Sequence, residues 1–325
     1  MTEFNWQSRI DCKGNLKKLL IQVCEDYKIG KYLYHKIVAV GYEDFNLILK
    51  TTQGKFFLKI FANFRDQKEC QCYLEIMLAA IKAGVAFPKL CECTKGFMDE
   101  IVVDGSTIRF CLMEFIDGES FYQGKLKPTK SEIIFLVKQA ALINSIKIKP
   151  SLLYDSWAIP NFLNEFKKVR KYLSVRDLEL IFPLAKRVKE IPMNKLPHCF
   201  VHGDIIDTNL MKNKKGKLFI IDFAVANYYP RIVELAVLLC DLFFDKNNPE
   251  SFLSNFNLAL NTYQRHLPLT TEEVKILPLF IKLAHAMHII APTRQKCIEK
   301  FLTSENDYWL NLGRTGLRFA NKLWP

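Results

Sequence analysis

The run Val201-His-Gly-Asp-Ile-Ile-Asp-Thr-Asn209, followed by Ile220-Ile-Asp222-Phe223, decides the fold. Asp204 and Asn209 stand five residues apart on a loop entering a strand, so both polar ends can converge on one point. The turn Asn213-Lys-Lys-Gly216 reverses the chain, and the partner strand Lys217-Leu-Phe-Ile-Ile returns Asp222 close to that point. Phosphoryl transfer asks for such a set. One carboxylate must orient the attacking hydroxyl, and hard oxygen ligands must hold Mg²⁺ against a triphosphate. Alone, the His-Gly-Asp loop reads more readily as a row of turn-forming residues; the hairpin, its second aspartate and an independent element upstream tip the reading toward catalysis.

Upstream, alternation in the strand Phe56-Phe-Leu-Lys-Ile-Phe61 puts Phe57, Lys59 and Phe61 on one face. A lysine between two phenylalanines is costly to bury unpaired, so it requires an anion. A helix is expected over roughly 68–83, with Leu74, Met77 and Ile81 as its apolar stripe and Gly84 as its stop. Glu75 lies off that stripe and is the expected partner of Lys59. Without the downstream motif, the pair would read as an edge lysine and a surface glutamate. Strand signals also occur at Lys36–Val40, Phe45–Thr51, Ile101–Gly105 and Thr107–Ile116, ending at Asp117-Gly118. Beyond Gly118 the texture is helical. Thr129 with Glu132 and Thr270 with Glu273 form capping boxes, and Phe162, Phe166, Val169 and Leu173 share a helix face. The expectation is an α+β, two-lobed chain: a β-rich lobe over 1–116, then a mostly helical lobe over 117–325 that holds one hairpin.

Composition bounds this reading. The chain has 325 residues, half of them hydrophobic, with 25 Phe and only 13 Gly and 13 Pro, which excludes collagen-like and disordered classes. The start carries Glu3 and no long apolar run, so no secretory signal is expected. Asp222 and Lys282 interrupt the most apolar later stretches, so no membrane span is expected either. Ten Cys in a chain this long read as reduced thiols of a cytoplasmic protein.

In four places — Lys59, Glu75 thirteen residues before Pro88, His-Gly-Asp…Asn at 202–209, and Ile-Asp-Phe at 221–223 — the chain resembles the aminoglycoside phosphotransferase/choline kinase superfamily. That superfamily has the protein-kinase fold. Gly41-Tyr-Glu-Asp-Phe-Asn46 and the stretch from Ile221 to Tyr229 are most similar to type II homoserine kinases and related bacterial small-molecule kinases. The resemblance implies an ATP- and Mg²⁺-dependent kinase acting on a small-molecule hydroxyl. Asp204 would be the catalytic base, Asn209 and Asp222 the Mg²⁺ ligands, and Lys59, paired to Glu75, the grip on the α/β phosphates. Met113, Glu114 and Ile116 of the connector would face adenine, Phe57 would lie against its ring, and the loop 41–46, with Asn46, would cover the phosphates. His202 would brace the catalytic loop. Two positions depart from the pattern: Glu234 replaces the usual aspartate of an Asp-Leu-Ala triplet, and Asn144 stands where relatives often carry His.

Other readings compete. An aminoglycoside or choline-type kinase is one alternative, and a nucleotide-binding regulator without turnover is another. Nucleic-acid binding has no motif to support it, and the oligomeric state is not indicated. Cys70-x-Cys72 and Cys91-x-Cys93 lack the spacing of a zinc knuckle and read as ordinary thiols. His285 and His288, three apart on a helix, could face a substrate, a metal or simply the core. The net charge of +12 is uneven: residues 1–117 hold 16 Lys+Arg against 15 Asp+Glu, and 118–325 hold 30 against 19. That gives +1 and +11, which leans away from a polycationic acceptor toward a neutral, zwitterionic or anionic one, with Arg231 or Arg294 as guesses for a carboxylate contact.

Overall fold

A computed structural model describes residues 10, 15–38, 44–103, 105–151 and 153–325. Residues 41–43 of the expected phosphate loop lie outside the described residues. The chain divides into two compact units, Met1–Gly118 with Asn213–Ile221, and Glu119–Lys212 with Asp222–Pro325. The hairpin turn therefore belongs to the first unit, apart from the catalytic loop that precedes it in sequence.

The first unit opens with α1 (Leu16–Asp26), capped by the Asn15 side chain. Strands β1 (Tyr32–Val38), β2 (Phe45–Thr51), β3 (Gly54–Ile60), β4 (Met98–Val103) and β5 (Ser106–Glu114) form one antiparallel sheet in the order β1-β2-β3-β5-β4. Between β3 and β4 runs α2 (Gln67–Ala83), started by a capping box from Asp66 and Glu69 and ended by Gly84 at φ 86°. That left-handed conformation is cheap only for glycine. Period-two alternation sorts the sheet's faces. Leu47, Leu49, Leu58, Ile60, Phe110 and Leu112 are buried in one cluster with Leu19, Leu20 and Val23 of α1. The register pairs Asn46 with Lys59, Lys59 with Cys111, Ile48 with Phe57 and Phe57 with Met113, so these residues share the opposite face.

The second unit begins with β6 (Gly118–Ser120) and the short α3 (Phe121–Gly124). Helix α4 (Lys130–Asn144) starts at the Thr129/Glu132 capping box. Helices α5 (Phe162–Val169) and α6 (Val175–Val188) follow. Strand β7 (His198–Val201) pairs antiparallel with β10 (Asn227–Pro230), matching Val201 to Asn227. In sequence between them lie β8 (Leu210–Asn213) and β9 (Leu218–Ile220). The chain ends in α7 (Ile232–Cys240), α8 (Phe252–His266), α9 (Thr271–Arg294) and α10 (Ser304–Leu323). Helix α9, capped by Thr270 and Glu273, is the buried centre of this unit.

Helix α9 contains the apolar stretch that Lys282 interrupts. With the turn after it, Thr271–Glu299 is, among the described residues, a helix long and apolar enough to cross a membrane, and 72% of its apolar window is buried inside the protein. Lys282 does not interrupt that surface with exposed charge. It is buried, its Nζ donates to the Trp324 carbonyl, and desolvation lowers its pKa.

Candidate active site

In the first unit, the face bearing Lys59 is polar at one end only. Lys59 is 5% exposed, and its Nζ donates to Asp44 Oδ2 at 3.0 Å. Asp44 Oδ1 accepts from Arg65 Nε at 3.1 Å and from the Ala62 N–H at 3.1 Å. Both cations lie over the Tyr73 ring, at 5.1 and 5.8 Å from its centre. One buried carboxylate is therefore shared by two buried cations.

The expected Lys59–Glu75 pair does not form. Glu75 is exposed and, among the described residues, accepts only from Gln71 Nε2, one turn back on its own helix, at 3.3 Å. The cause is helical phase. Tyr73 is the α2 residue turned toward Lys59, and a residue two positions on is rotated by about 200°. Asp44, just ahead of β2 and near the Asn46–Lys59 cross-strand pair, reaches the ammonium from the neighbouring strand instead. The sequence signal for it was available: an acid two residues before a strand position opposite the lysine.

Asn46 does lie beside Lys59, 9% exposed, and its Oδ1 has no hydrogen-bond partner among the described residues. A buried amide oxygen left in this way is prepared for a donor from a bound molecule. Phe57 and Met113 share the same face, Met113 being buried opposite Phe57. Glu114 spends its N–H on the Lys89 carbonyl at 2.9 Å. With Ile116, Phe115 and Phe219 it borders an open cleft of about 300 Å³ beside the hairpin turn. Phe57 and Met113 do not line that cleft, so the expected adenine contacts divide between the sheet face and the connector.

In the second unit, β7 delivers His202, Gly203 and Asp204 directly from its end, and Gly203 takes φ 79° to make the turn. The Asp204 N–H donates to His202 Nδ1 at 3.2 Å, and the His202 ring packs 4.5 Å from that of Phe223. Asn209 Nδ2 donates to Asp204 Oδ2 at 2.6 Å and to the Asp204 carbonyl at 3.1 Å, which brings the predicted base and the predicted metal ligand together. Asp222 adopts φ 67°, a left-handed conformation uncommon outside glycine, and such strain gathers at functional sites. Its Oδ1 accepts the Ala224 N–H at 3.3 Å.

Charge links these groups. Burial pushes the Asp204 carboxyl up to about 8, and the nearby Asp155 and Asp222 carboxylates push the same way, against the Asn209 hydrogen bond. Mutual repulsion among three carboxylates, with an amide oxygen at hand, is the donor chemistry of a hard divalent cation. The donor set fits such an ion. Asp155 was missed by sequence reasoning because it looks like an ordinary turn residue. Its Oδ1 accepts the Trp157 N–H at 2.8 Å, its carbonyl accepts from Asn161 Nδ2, and Asn227 Nδ2 ties the neighbouring Leu153 carbonyl to β10.

The two departures from the family pattern meet each other. Glu234, fully buried, accepts the His202 N–H at 2.6 Å and the Gly203 N–H at 3.3 Å. Asn144 Nδ2 reaches the Phe200 carbonyl at 3.0 Å and Glu234 Oε2 at 3.4 Å, while Tyr263 donates to Asn144 Oδ1 at 2.6 Å. Burial raises the Glu234 carboxyl to about 7 against those three donors. The loop is also held further along, where the Asp207 N–H donates to Asp241 Oδ1 at 2.8 Å. The guessed carboxylate-binding arginines are already engaged. Arg231 grips Glu273 through two nitrogens, and Arg294 contacts Glu165, Glu299 and the Ser156 hydroxyl.

The chain is similar to several known proteins. The phosphotransferase enzyme family matches residues 35–269. The homoserine kinase of Parvibaculum lavamentivorans is 24% identical over 262 residues, covering 79% of this chain and 78% of that protein. Among solved structures, the amicoumacin kinase hAmiN in complex with AMP-PNP, Ca²⁺ and Ami superposes with a TM-score of 0.65 at 14% identity, covering 95% of this chain and 94% of the other. The choline kinase LicA of Streptococcus pneumoniae superposes with a TM-score of 0.58 at 14% identity, covering 94% and 99%.

Proposed function

Because the chain belongs to the phosphotransferase enzyme family and is a small-molecule kinase, we propose that it transfers the γ-phosphoryl group of ATP, with Mg²⁺, to the hydroxyl of a homoserine-like amino acid. The observation that carries the reading is the convergence of Asp204, Asn209, Asp222 and Asp155 in the second unit. Nucleotide and divalent-cation use is supported by the amicoumacin kinase, which is described with AMP-PNP and Ca²⁺.

Each residue has a role in this reading. Lys59, held by Asp44, supplies positive charge for the phosphates, and Asn46 and Phe57 flank it on the same sheet face. Asn209 and Asp222 would hold Mg²⁺, which supplies charge neutralisation at the transferring phosphoryl group. Asp204, whose ionised form a cation held there would favour, orients the acceptor hydroxyl and accepts its proton. Asn209 Nδ2 fixes which way Asp204 Oδ2 faces. Glu234 holds the His202 and Gly203 amides, so the turn presenting Asp204 keeps its geometry without chemistry of its own.

The amino-acid acceptor rests on the similarity to homoserine kinases and on local charge. Asp155 offers an anion for an α-ammonium. The test is thermal shift with MgATP, followed by ADP release over a panel of homoserine, choline, aminopropanol and spectinomycin. Stabilisation by MgATP and turnover on homoserine are expected. No shift with MgATP would sink the kinase mechanism, and turnover on choline alone would replace the acceptor. Asp155→Asn should raise KM for the amine-bearing acceptor about tenfold or more with little change in KM for ATP.

A further inference from the structure

Apart from the phosphoryl-transfer residues, three donors meet inside the second unit. Cys240 ends α7, and His285 and His288 lie one turn apart on α9. Cys240 Sγ stands 3.1 Å from His285 Nδ1 and 3.6 Å from His288 Nδ1, and all three donor atoms lie within 4.8 Å of one another. Zinc bonds of about 2.3 Å to sulfur and 2.0–2.1 Å to nitrogen, in a tetrahedron, separate S and N by about 3.6 Å. One separation already matches, and the other needs to open by about half an ångström.

The rings are not free to turn away. A Cβ at Gly316 would lie 2.0 Å from His285 Cε1, and one at Gly313 would lie 2.6 Å from the His285 carbonyl and 2.9 Å from His288 Cβ. Helix α10 thus lays its bare backbone on both histidines. Phe244 packs 5.2 Å from the His285 ring, and Trp309 packs 4.9 Å from that of His288. Burial keeps both imidazoles neutral, lowered to about 3 for His285 and about 4 for His288, and keeps the Cys240 thiol protonated. A single thiol proton can be donated to only one of the two ring nitrogens, whereas a metal ion takes a lone pair from all three atoms.

We propose that Cys240, His285 and His288 bind zinc(II), cross-linking α7 to α9. On binding, the Sγ–H bond breaks, the proton leaves to solvent, the sulfur pair forms the Zn–S bond, and each imidazole donates an Nδ1 lone pair. The fourth position of the ion takes water, as in three-ligand zinc sites. No redox partner is needed. Asp241 receives the Asp207 amide of the catalytic loop, so the cross-link lies one residue from a contact that holds that loop.

The test uses the full-length protein, stripped of metal with a chelator and titrated with Co²⁺. The expected result is one Co²⁺ per chain, with a near-ultraviolet thiolate-to-cobalt band and tetrahedral visible bands that Zn²⁺ abolishes on displacement. Zn²⁺ should also raise the Tm. Cys240→Ser should lose the thiolate band and weaken Zn²⁺ binding by about 100-fold or more, while Cys72→Ser keeps both. His288→Asn, altered at a partly accessible ligand, should weaken Zn²⁺ comparably and serves if Cys240→Ser does not fold. Absence of the thiolate band from the folded wild type overturns the proposal, as does its persistence in folded Cys240→Ser or unchanged Zn²⁺ affinity in His288→Asn.

Discussion

At the scale of single residues, the anion beside Lys59 is the informative discrepancy. Spacing singled out Glu75 because strand lysines of this kind pair with a glutamate on the next helix, but helical phase gives that face to Tyr73 and leaves Glu75 in solvent. Asp44→Ala removes the carboxylate shared by two buried cations and should destabilise the protein by about 3–5 kcal/mol, whereas Glu75→Gln should stay within about 0.5 kcal/mol. Urea unfolding of both variants checks this, and equal effects would mean that Asp44 does not have the role the geometry gives it. Asp204 shows the opposite balance. Its carboxyl is raised to about 8 by burial and by neighbouring carboxylates, so the free protein is strained where the reaction needs an anion. Asp204→Asn should lower kcat by about 10³-fold or more. In divalent-free buffer above pH 8 it should also stabilise the fold by about 1 kcal/mol, because a buried charge is gone. A variant that loses activity without gaining stability would count against the electrostatic account. The loop's identity was legible because Asp204, Asn209 and Asp222 are close in sequence; Asp155 was not, because its proximity to Asp204 depends on β10 anchoring Leu153 through Asn227.

At the scale of elements, the catalytic loop is held by helices contributing unusual residues. Glu234 on α7 and Asn144 at the end of α4 each depart from the family pattern, and they contact one another. The longer carboxylate reaches two loop amides while the amide side chain ties it to Phe200 and Tyr263, so the two departures act as one support. Sequence reading identified both positions but could not pair them, since ninety residues separate them. The pH dependence follows from the raised Glu234 carboxyl. Its folded value, about 7, lies above the 4.5 of an ordinary glutamate, so between those limits the folded state binds more protons. The stabilising contribution is complete below about pH 4.5 and is lost as pH rises through 7, amounting to as much as about 3 kcal/mol. Glu234→Gln should remove this part of the slope, so the wild-type minus variant stability difference should fall across pH 5–8 and flatten above. A pH-independent difference would show that Glu234 titrates as it does in the unfolded chain. The double variant with Asn144→Ala should be non-additive by about 1 kcal/mol or more, as expected for side chains in one network.

At the scale of the whole chain, the uneven charge bears on the acceptor. Residues 1–117 carry +1 and 118–325 carry +11, so most of the basic excess belongs to the sequence that holds Asp204 and Asp155. The local field opposes the global one: the immediate surroundings of Asp204 are acidic, while the unit around them is basic. A polycationic acceptor would be attracted by the first and repelled by the second. An anionic acceptor would meet the reverse, and a zwitterion with both charges held locally is nearly indifferent to the long-range term. Salt distinguishes these cases, because exposed charge is screened within about 10 Å at 0.1 M while close contacts persist. For a homoserine-like acceptor, kcat/KM measured at saturating MgATP should change by less than about twofold between about 50 and 500 mM KCl. A several-fold rise with salt would indicate a repelled polycation, and a several-fold fall would indicate an attracted anion. Either would overturn the zwitterionic reading while leaving the kinase chemistry of Asp204, Asn209 and Asp222 in place.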